Sequence, residues 1–272
     1  MTKRLILVLG LSLIAAIMVQ LYPMAKIMLV EESPEPIVVT DENILSQLKK
    51  NVQDKEELNY LVLGDSVARG IGSKGPDQGY GSLVVKSLNK ERIPLKLVNK
   101  GVTGQTSKKL AESITTPDIR EKVKSADLIS LTIGGNDLIK VALENQNPVS
   151  VLSGFEGIQK GYEQNLTRIL HRIRKLNPDA PILMTALYNP ISPEEPYYGI
   201  SHSLLKKWNI QMKQVAHDFP LTHVIDVDQR LRAANGEWLS DQIHPNNKGY
   251  RVIAEGILAE IRGNRHTSAK MN

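Results

Sequence analysis

Five residues scattered along the chain could together perform acyl transfer: Ser66, Gly104, Asn136, Asp241 and His244. A serine hydroxyl is a weak nucleophile at its free pKa and attacks a carbonyl only when a base takes its proton. His244 can do that near neutral pH. Asp241, three residues earlier on the same turn, can hold the imidazole in the required tautomer and stabilise it once charged. An oxyanion needs donors aimed at it, and the Gly104 N–H, the Asn136 side-chain amide and the Ser66 N–H are the candidates. The chemistry that fits is attack of Ser66 on a carbonyl carbon, with His244 taking the proton and the three donors holding the oxyanion.

These residues are useful only if the fold gathers them. Tyr60-Leu-Val-Leu-Gly64 is an apolar run that ends abruptly in Asp65-Ser66, as a buried parallel strand does when it delivers a polar side chain to its C-terminal edge. Strands are predicted at Tyr60–Leu63, Lys96–Asn99, Leu128–Ile133, Ile182–Leu187 and Thr222–Asp226. Helices are predicted between them at Tyr80–Lys90, Thr106–Ile114, Ile158–Leu176 and Ser203–His217, with a last one from about Asn246 to Arg262. Alternating strands and helices argue for a parallel sheet covered on both sides. Its C-terminal edge would collect Ser66, the Asn99–Gly104 segment, Gly134-Gly-Asn136-Asp137, and the loop carrying Asp241 and His244. The Asn189–Gly199 loop follows the fourth strand on that same edge, so it is either a lid or substrate wall or mere decoration; Tyr188-Asn189 read first as a capped strand end and second as lining of an acyl pocket.

Gly64-Asp65-Ser66, Gly104, Gly134-Gly135-Asn136-Asp137 and Asp241-x-x-His244 resemble the four blocks of the SGNH hydrolases, the GDSL-type esterase/lipase superfamily, in order and spacing from about Tyr60 to Arg262. The resemblance implies a flavodoxin-like α/β/α sandwich with five parallel strands ordered 2-1-3-4-5. It also implies a serine esterase/lipase with Ser66 as nucleophile, His244 as base, Asp241 as its partner, and Ser66, Gly104 and Asn136 around the oxyanion. No metal or other cofactor is implied.

Taken singly, each residue has a plainer reading. Ser66 could cap the following helix, His244-Pro245 could open the last one, Asn136-Asp137 could form a turn, and Asp241 could be a surface charge. Asp226 and Asp228 are rival partners for His244. Gly70-x-Gly72-x-x-Gly75 fits the dinucleotide fingerprint but does not open directly off the strand. There is no G-x-S-x-G or H-E-x-x-H, and the other histidines form no ligand spacing. Asn165-Leu-Thr167 fits a glycosylation sequon. Two other functions share the four blocks: an inactive envelope-binding module on the same fold, and an acyltransferase that resolves the same acyl-enzyme with a sugar hydroxyl.

The 272 residues suffice for one such domain and an appendage, here divided as 1–30, 31–57, 58–263 and a polar tail at 264–272. With no cysteine, disulfides and thiolate chemistry are excluded. The net charge of +5 owes much to Lys3, Arg4 and Lys26, which stand in an acid-free first stretch. The remaining 31 basic and 29 acidic residues nearly balance, and with two Phe, two Trp and no long basic run a nucleic-acid partner is excluded. Lys3-Arg4 precedes an apolar run from Leu5 to Ala25, which at about 1.5 Å per residue spans roughly the 30 Å hydrocarbon layer. Positive charge before the run and Glu31-Glu32 after it place the body outside the cytoplasm. Pro23 stands where a signal-peptidase site wants a small residue, which favours a retained anchor; cleavage would make the protein secreted. Residues 31–57 read as a tether, extended through Ser33-Pro-Glu-Pro36 and then helical, with Ile44, Leu45, Leu48 and Val52 on one stripe.

Overall fold

The computed structural model describes residues 43–76, 78–144, 148–234 and 237–263. Five strands form one sheet: β1 (Leu58–Gly64), β2 (Leu95–Gly101), β3 (Leu128–Thr132), β4 (Ile182–Thr185) and β5 (Thr222–Ile225). Their order is 2-1-3-4-5, as the family resemblance implies, and all pairings are parallel, as the alternation of strands and helices predicts. The chain leaves β1 for β2 on one side and returns past it to β3 on the other. A crevice therefore opens between the C-terminal ends of β1 and β3, where ligands of such sheets bind.

The strands bury both faces by the alternation of their side chains. Leu61 and Leu63 of β1, Ile129 and Leu131 of β3, and Ile182 and Met184 of β4 point into one core. Helices α4 (Ser107–Ser113), α5 (Pro117–Lys124), α7 (Pro148–Leu176) and α8 (Tyr198–His217) cover it. Leu58, Tyr60 and Val62 point into the other core with Leu128, Leu183 and Ile225. There the cover is α1 (Ile44–Asp54), α3 (Gly79–Lys90), α9 (Val227–Ala233) and α10 (Asn247–Ile261). Two short helices, α2 (Ser66–Arg69) and α6 (Gly135–Glu144), begin at the ends of β1 and β3.

The amphipathic stripe in the predicted tether docks. Ile44 and Leu48 of α1 are buried in the core with Leu258 and Ile261 of α10. Lys55 pairs with Asp127 just ahead of β3, and Gln47 donates to the Asp179 carbonyl just ahead of β4 (2.8 Å). Asn43 lies beside Gly263, just past α10. The first described residues thus sit at the edge where the strands begin. The expected membrane segment at 1–30 lies outside the described residues, as does the polar tail at 264–272; among the described residues no helix is long and apolar enough to cross a membrane.

Several helical stretches differ from expectation: α5 has no predicted counterpart, and α8 starts at Tyr198, five residues ahead of the predicted Ser203. α7 starts ten residues earlier than its apolar stripe suggests, with Pro148 at its first position. α6 begins inside the Gly134-Gly135 pair, where glycine content points to a loop. Asp226 follows β5 and caps α9 by accepting the Gln229 N–H, so a residue predicted as the strand end opens a helix.

Candidate active site

Ser66 reaches the sheet edge through a turn that only glycine allows. Gly64 has φ +135°, and a Cβ there would lie 1.9 Å from the Thr132 carbonyl oxygen. The chain then turns into α2, whose N-cap is Asp65: its Oδ1 accepts the Val67 N–H (2.9 Å). Because Asp65 caps the helix, the Ser66 hydroxyl is left for other work. It lies 3.0 Å from His244 Nε2. On the other side of the ring, His244 Nδ1 lies 2.7 Å from Asp241 Oδ2. Asp241 Oδ1 accepts the backbone N–H groups of Ile243 (2.9 Å) and His244 (2.8 Å). Desolvation pushes the Asp241 carboxyl up, but these N–H donors, the His244 ring and its charge outweigh it and hold the group down at about 2. It is therefore an anion at neutral pH, fixing the tautomer that leaves Nε2 as acceptor toward Ser66.

The rival carboxylates are engaged elsewhere. Asp226 caps α9, while Asp228 accepts the Asn189 N–H (2.9 Å) and pairs with Arg232. The glycines of the fingerprint-like stretch also have other work. Gly70 ends α2 in a left-handed turn. Gly72, φ +93°, lets the chain pass against the His244 loop, where a Cβ would lie 2.2 Å from Ser240 Oγ and 2.5 Å from the Pro245 carbonyl oxygen. The Asn165 amide of the sequon is half-buried and donates to Ser107 Oγ (3.0 Å).

Gly104 stands at φ +73° in the turn after β2, closed by Gln105 N–H to Val102 O (3.1 Å). A Cβ there would meet nothing within 4 Å. The positive φ is by itself a reason for glycine here. Asn136, in the first turn of α6, donates one Nδ2 hydrogen to the Gln105 carbonyl (3.1 Å). That bond ties the β3 loop to the β2 loop and leaves the second amide hydrogen for a ligand. Neighbouring Asp137 reinforces the tie, accepting from the Ser107 N–H (2.9 Å) and hydroxyl (2.6 Å). Among the described residues, neither the Ser66 nor the Gly104 N–H has a hydrogen-bond partner.

Ser66, Asn136 and His244 open onto one cavity of about 270 Å³. Its walls are largely apolar, built by Leu138, Ile139, Leu187, Ile191, Leu204 and Leu205, and Tyr188 and Asn189 line it rather than merely capping the strand. Pro190 and Ile191 make the start of the Asn189–Gly199 loop part of the wall. Gly104 and Asp241 do not line it: the first lies on the neighbouring turn and the second stands behind the imidazole. Asp65 does, buried beside the nucleophile. Burial pushes its carboxyl up to about 7, against the Val67 and Ala68 N–H groups and the charge of His244, which pull it down. The apolar wall was missed in the sequence. Its one local signal is Leu138-Ile139, directly after Asn136-Asp137 on a helix.

The GDSL-like lipase/acylhydrolase family matches residues 62–252, which hold every one of these groups. The chain belongs to that family. It is an ester-bond hydrolase. Among curated relatives it is similar to the spore germination lipase LipC of Bacillus licheniformis, 29% identical over 74% of this chain and 95% of that protein. It is also similar to the uncharacterised YpmR protein of Bacillus subtilis, 28% identical over 79% of this chain and 86% of that one. Among solved structures, the lipase Lip_vut3 from a goat rumen metagenome has TM-score 0.65 at 24% identity, covering 75% of this chain and 97% of that one. The acetylxylan esterase Axe2 of Geobacillus stearothermophilus has TM-score 0.57 at 20% identity, covering 75% and 94%. These structures share the fold of the GDSL-type domain described above.

Proposed function

We propose that this family member cleaves carboxylic esters through an acyl-enzyme on Ser66 and accepts acyl groups of medium length. The observation that carries this is the line Ser66 Oγ–His244 Nε2 (3.0 Å) and His244 Nδ1–Asp241 Oδ2 (2.7 Å) at the mouth of an apolar cavity. Ser66 Oγ attacks the ester carbonyl while its proton passes to His244 Nε2. The oxyanion takes hydrogen bonds from the Ser66 and Gly104 N–H groups and the Asn136 amide. His244 then gives its proton to the departing alcohol, and a water deprotonated by His244 attacks the acyl-enzyme, releasing the acid and regenerating Ser66.

The relatives include lipases and acetylxylan esterases. The cavity favours the longer acyl group, because at about 30 Å³ per small heavy group it has room for about nine, far more than acetate needs. The Lys3-Arg4 pair and the apolar run to Ala25 support a body held outside the cytoplasm, so an envelope lipid or O-acylated glycan fits as the alcohol side.

The test compares wild type with Ser66→Ala and His244→Ala on p-nitrophenyl butyrate and octanoate, with fluorophosphonate labelling read by intact mass of the membrane-fraction protein. A drop on the order of 10⁶ in turnover for each variant, and loss of the label in Ser66→Ala, is expected. Equal rates overturn the mechanism, a wild type that is never labelled indicates an inactive binding module, and labelling with transfer to sugar outpacing hydrolysis indicates an acyltransferase. The same mass reports whether the leader is retained.

A further inference from the structure

His244 sits on a loop that is largely closed on itself. Ser240 N–H and Oγ both donate to the His244 carbonyl (2.8 and 3.1 Å), and Asn246 N–H donates to the Trp238 carbonyl (2.9 Å). A bridge between Leu239 and Pro245 joins its two arms. Gly72 backs the loop on one side. Among the described residues, apart from the bonds of adjoining Asn246 to Trp238 and Leu239, two hydrogen bonds leave the segment 238–245 for the rest of the fold. One is His244 to Ser66 itself. The other runs from the Tyr188 hydroxyl to the Ile243 carbonyl, at 2.6 Å.

Tyr188 is suited to hold that carbonyl. It lies just past β4, next to Leu187, whose backbone is pinned where Asn209 Oδ1 accepts the Leu187 N–H (2.9 Å) and Asn209 Nδ2 donates to the Leu187 carbonyl (2.8 Å). Its neighbour Asn189 is held by Asp228 and Ser201. The Tyr188 ring meets Trp238 edge-on at 5.2 Å, so it braces the start of the same loop. Burial pushes its phenol well above the ordinary value, so the hydroxyl is a donor at every assay pH.

We infer that Tyr188 is a positioning residue: its hydroxyl, by holding the Ile243 carbonyl, fixes the peptide next to His244 and with it the aim of the imidazole at Ser66. The inference rests on His244 being the base. Without the hydrogen bond the imidazole keeps Asp241 but loses its fixed distance to Ser66, and small misplacements of a reacting group are costly in rate. Because the Ile243 carbonyl accepts from Tyr188 and not from substrate, the loss falls on turnover rather than on binding.

The experiment is a double-mutant cycle on p-nitrophenyl butyrate. Tyr188→Phe keeps the ring, the cavity wall and the Trp238 contact, and is expected to lower kcat by about ten- to a hundredfold with KM within about twofold. In a His244→Ala background, adding Tyr188→Phe is expected to change the residual rate by less than about twofold, since the group acts through the imidazole. Tyr60→Phe, which removes the similarly buried hydroxyl bonded to Ser130 (2.6 Å) far from the loop, is the stability control and is expected to leave kcat within about twofold. A Tyr188→Phe enzyme with wild-type kcat overturns the inference, and so does an equal loss in the His244→Ala background. If His244→Ala itself keeps the wild-type rate, the base assignment fails instead, so the two failures are told apart. Should Tyr188→Phe not fold, 4-aminophenylalanine at position 188 supplies a donor on the same ring; kcat within about threefold of wild type supports the inference and a hundredfold loss overturns it.

Discussion

The acyl cavity makes a quantitative prediction about chain length. Its walls offer Leu138, Ile139, Leu187, Leu204 and Leu205 to a chain leading away from Ser66. Each methylene taken from water is worth at most about 0.8 kcal/mol, or about fourfold in kcat/KM. A chain lying in an open-mouthed cavity realises about half of that, so the octanoate ester is expected to exceed the acetate ester by about 50-fold. The gain should stop at about eight to ten carbons, where the volume is filled. The assay is kcat/KM for p-nitrophenyl esters from acetate to dodecanoate, below their critical micelle concentrations. Leu138→Trp pushes an indole into the cavity, and its octanoate rate is expected to fall by more than ten times as much as its acetate rate. Rates that are flat or falling from acetate onward in the wild type would refute the reasoning, as would a Leu138→Trp enzyme that loses both substrates equally.

Asp65 predicts a pH effect on stability. Its carboxyl is held up at about 7 in the folded protein, so its contribution is fully present below the unfolded value of about 3.9 and is lost as pH rises through about 7. Asp65→Asn cannot ionise and should gain on the wild type by up to about 4 kcal/mol between those limits, measured by urea unfolding; parallel stability curves would contradict it. Asn136→Ala should slow turnover by about 10²–10³-fold with little change in KM, measured by steady-state kinetics. At Gly134, φ +120°, a Cβ would lie 2.8 Å from the Tyr162 ring and 3.1 Å from Trp208 Nε1; Gly134→Ala should cost about 2–4 kcal/mol, read by urea unfolding.

Much of this architecture is legible in the amino-acid order because its signals are local. Apolar runs ending in Gly64-Asp65-Ser66 and Ile133-Gly134-Gly135 announce strands that stop at an edge, and the stripes of α7 and α10 announce helices. The parallel sheet then brings Ser66 and His244 together, although most of the domain separates them in sequence. What stayed hidden depends on distant partners. The stripe on α1 shows that something covers Ile44 and Leu48, but not that the covering is α10. Asp226 looks like a strand end because only the chain's turn reveals its capping bond. The cavity wall is assembled from α6, the β4–α8 segment and α8, and no single stretch carries its pattern. The Tyr188 bond ends on a backbone carbonyl, which leaves no mark in residue types.

The placement of Asn43 beside Gly263 has a practical consequence. Helix α10 runs the depth of the domain, from its cap next to His244 to that point, so Asn43 stands on the side remote from the nucleophile. A fluorophore carried on residue 43 itself would therefore report on the far end of the domain while leaving the cavity lining untouched.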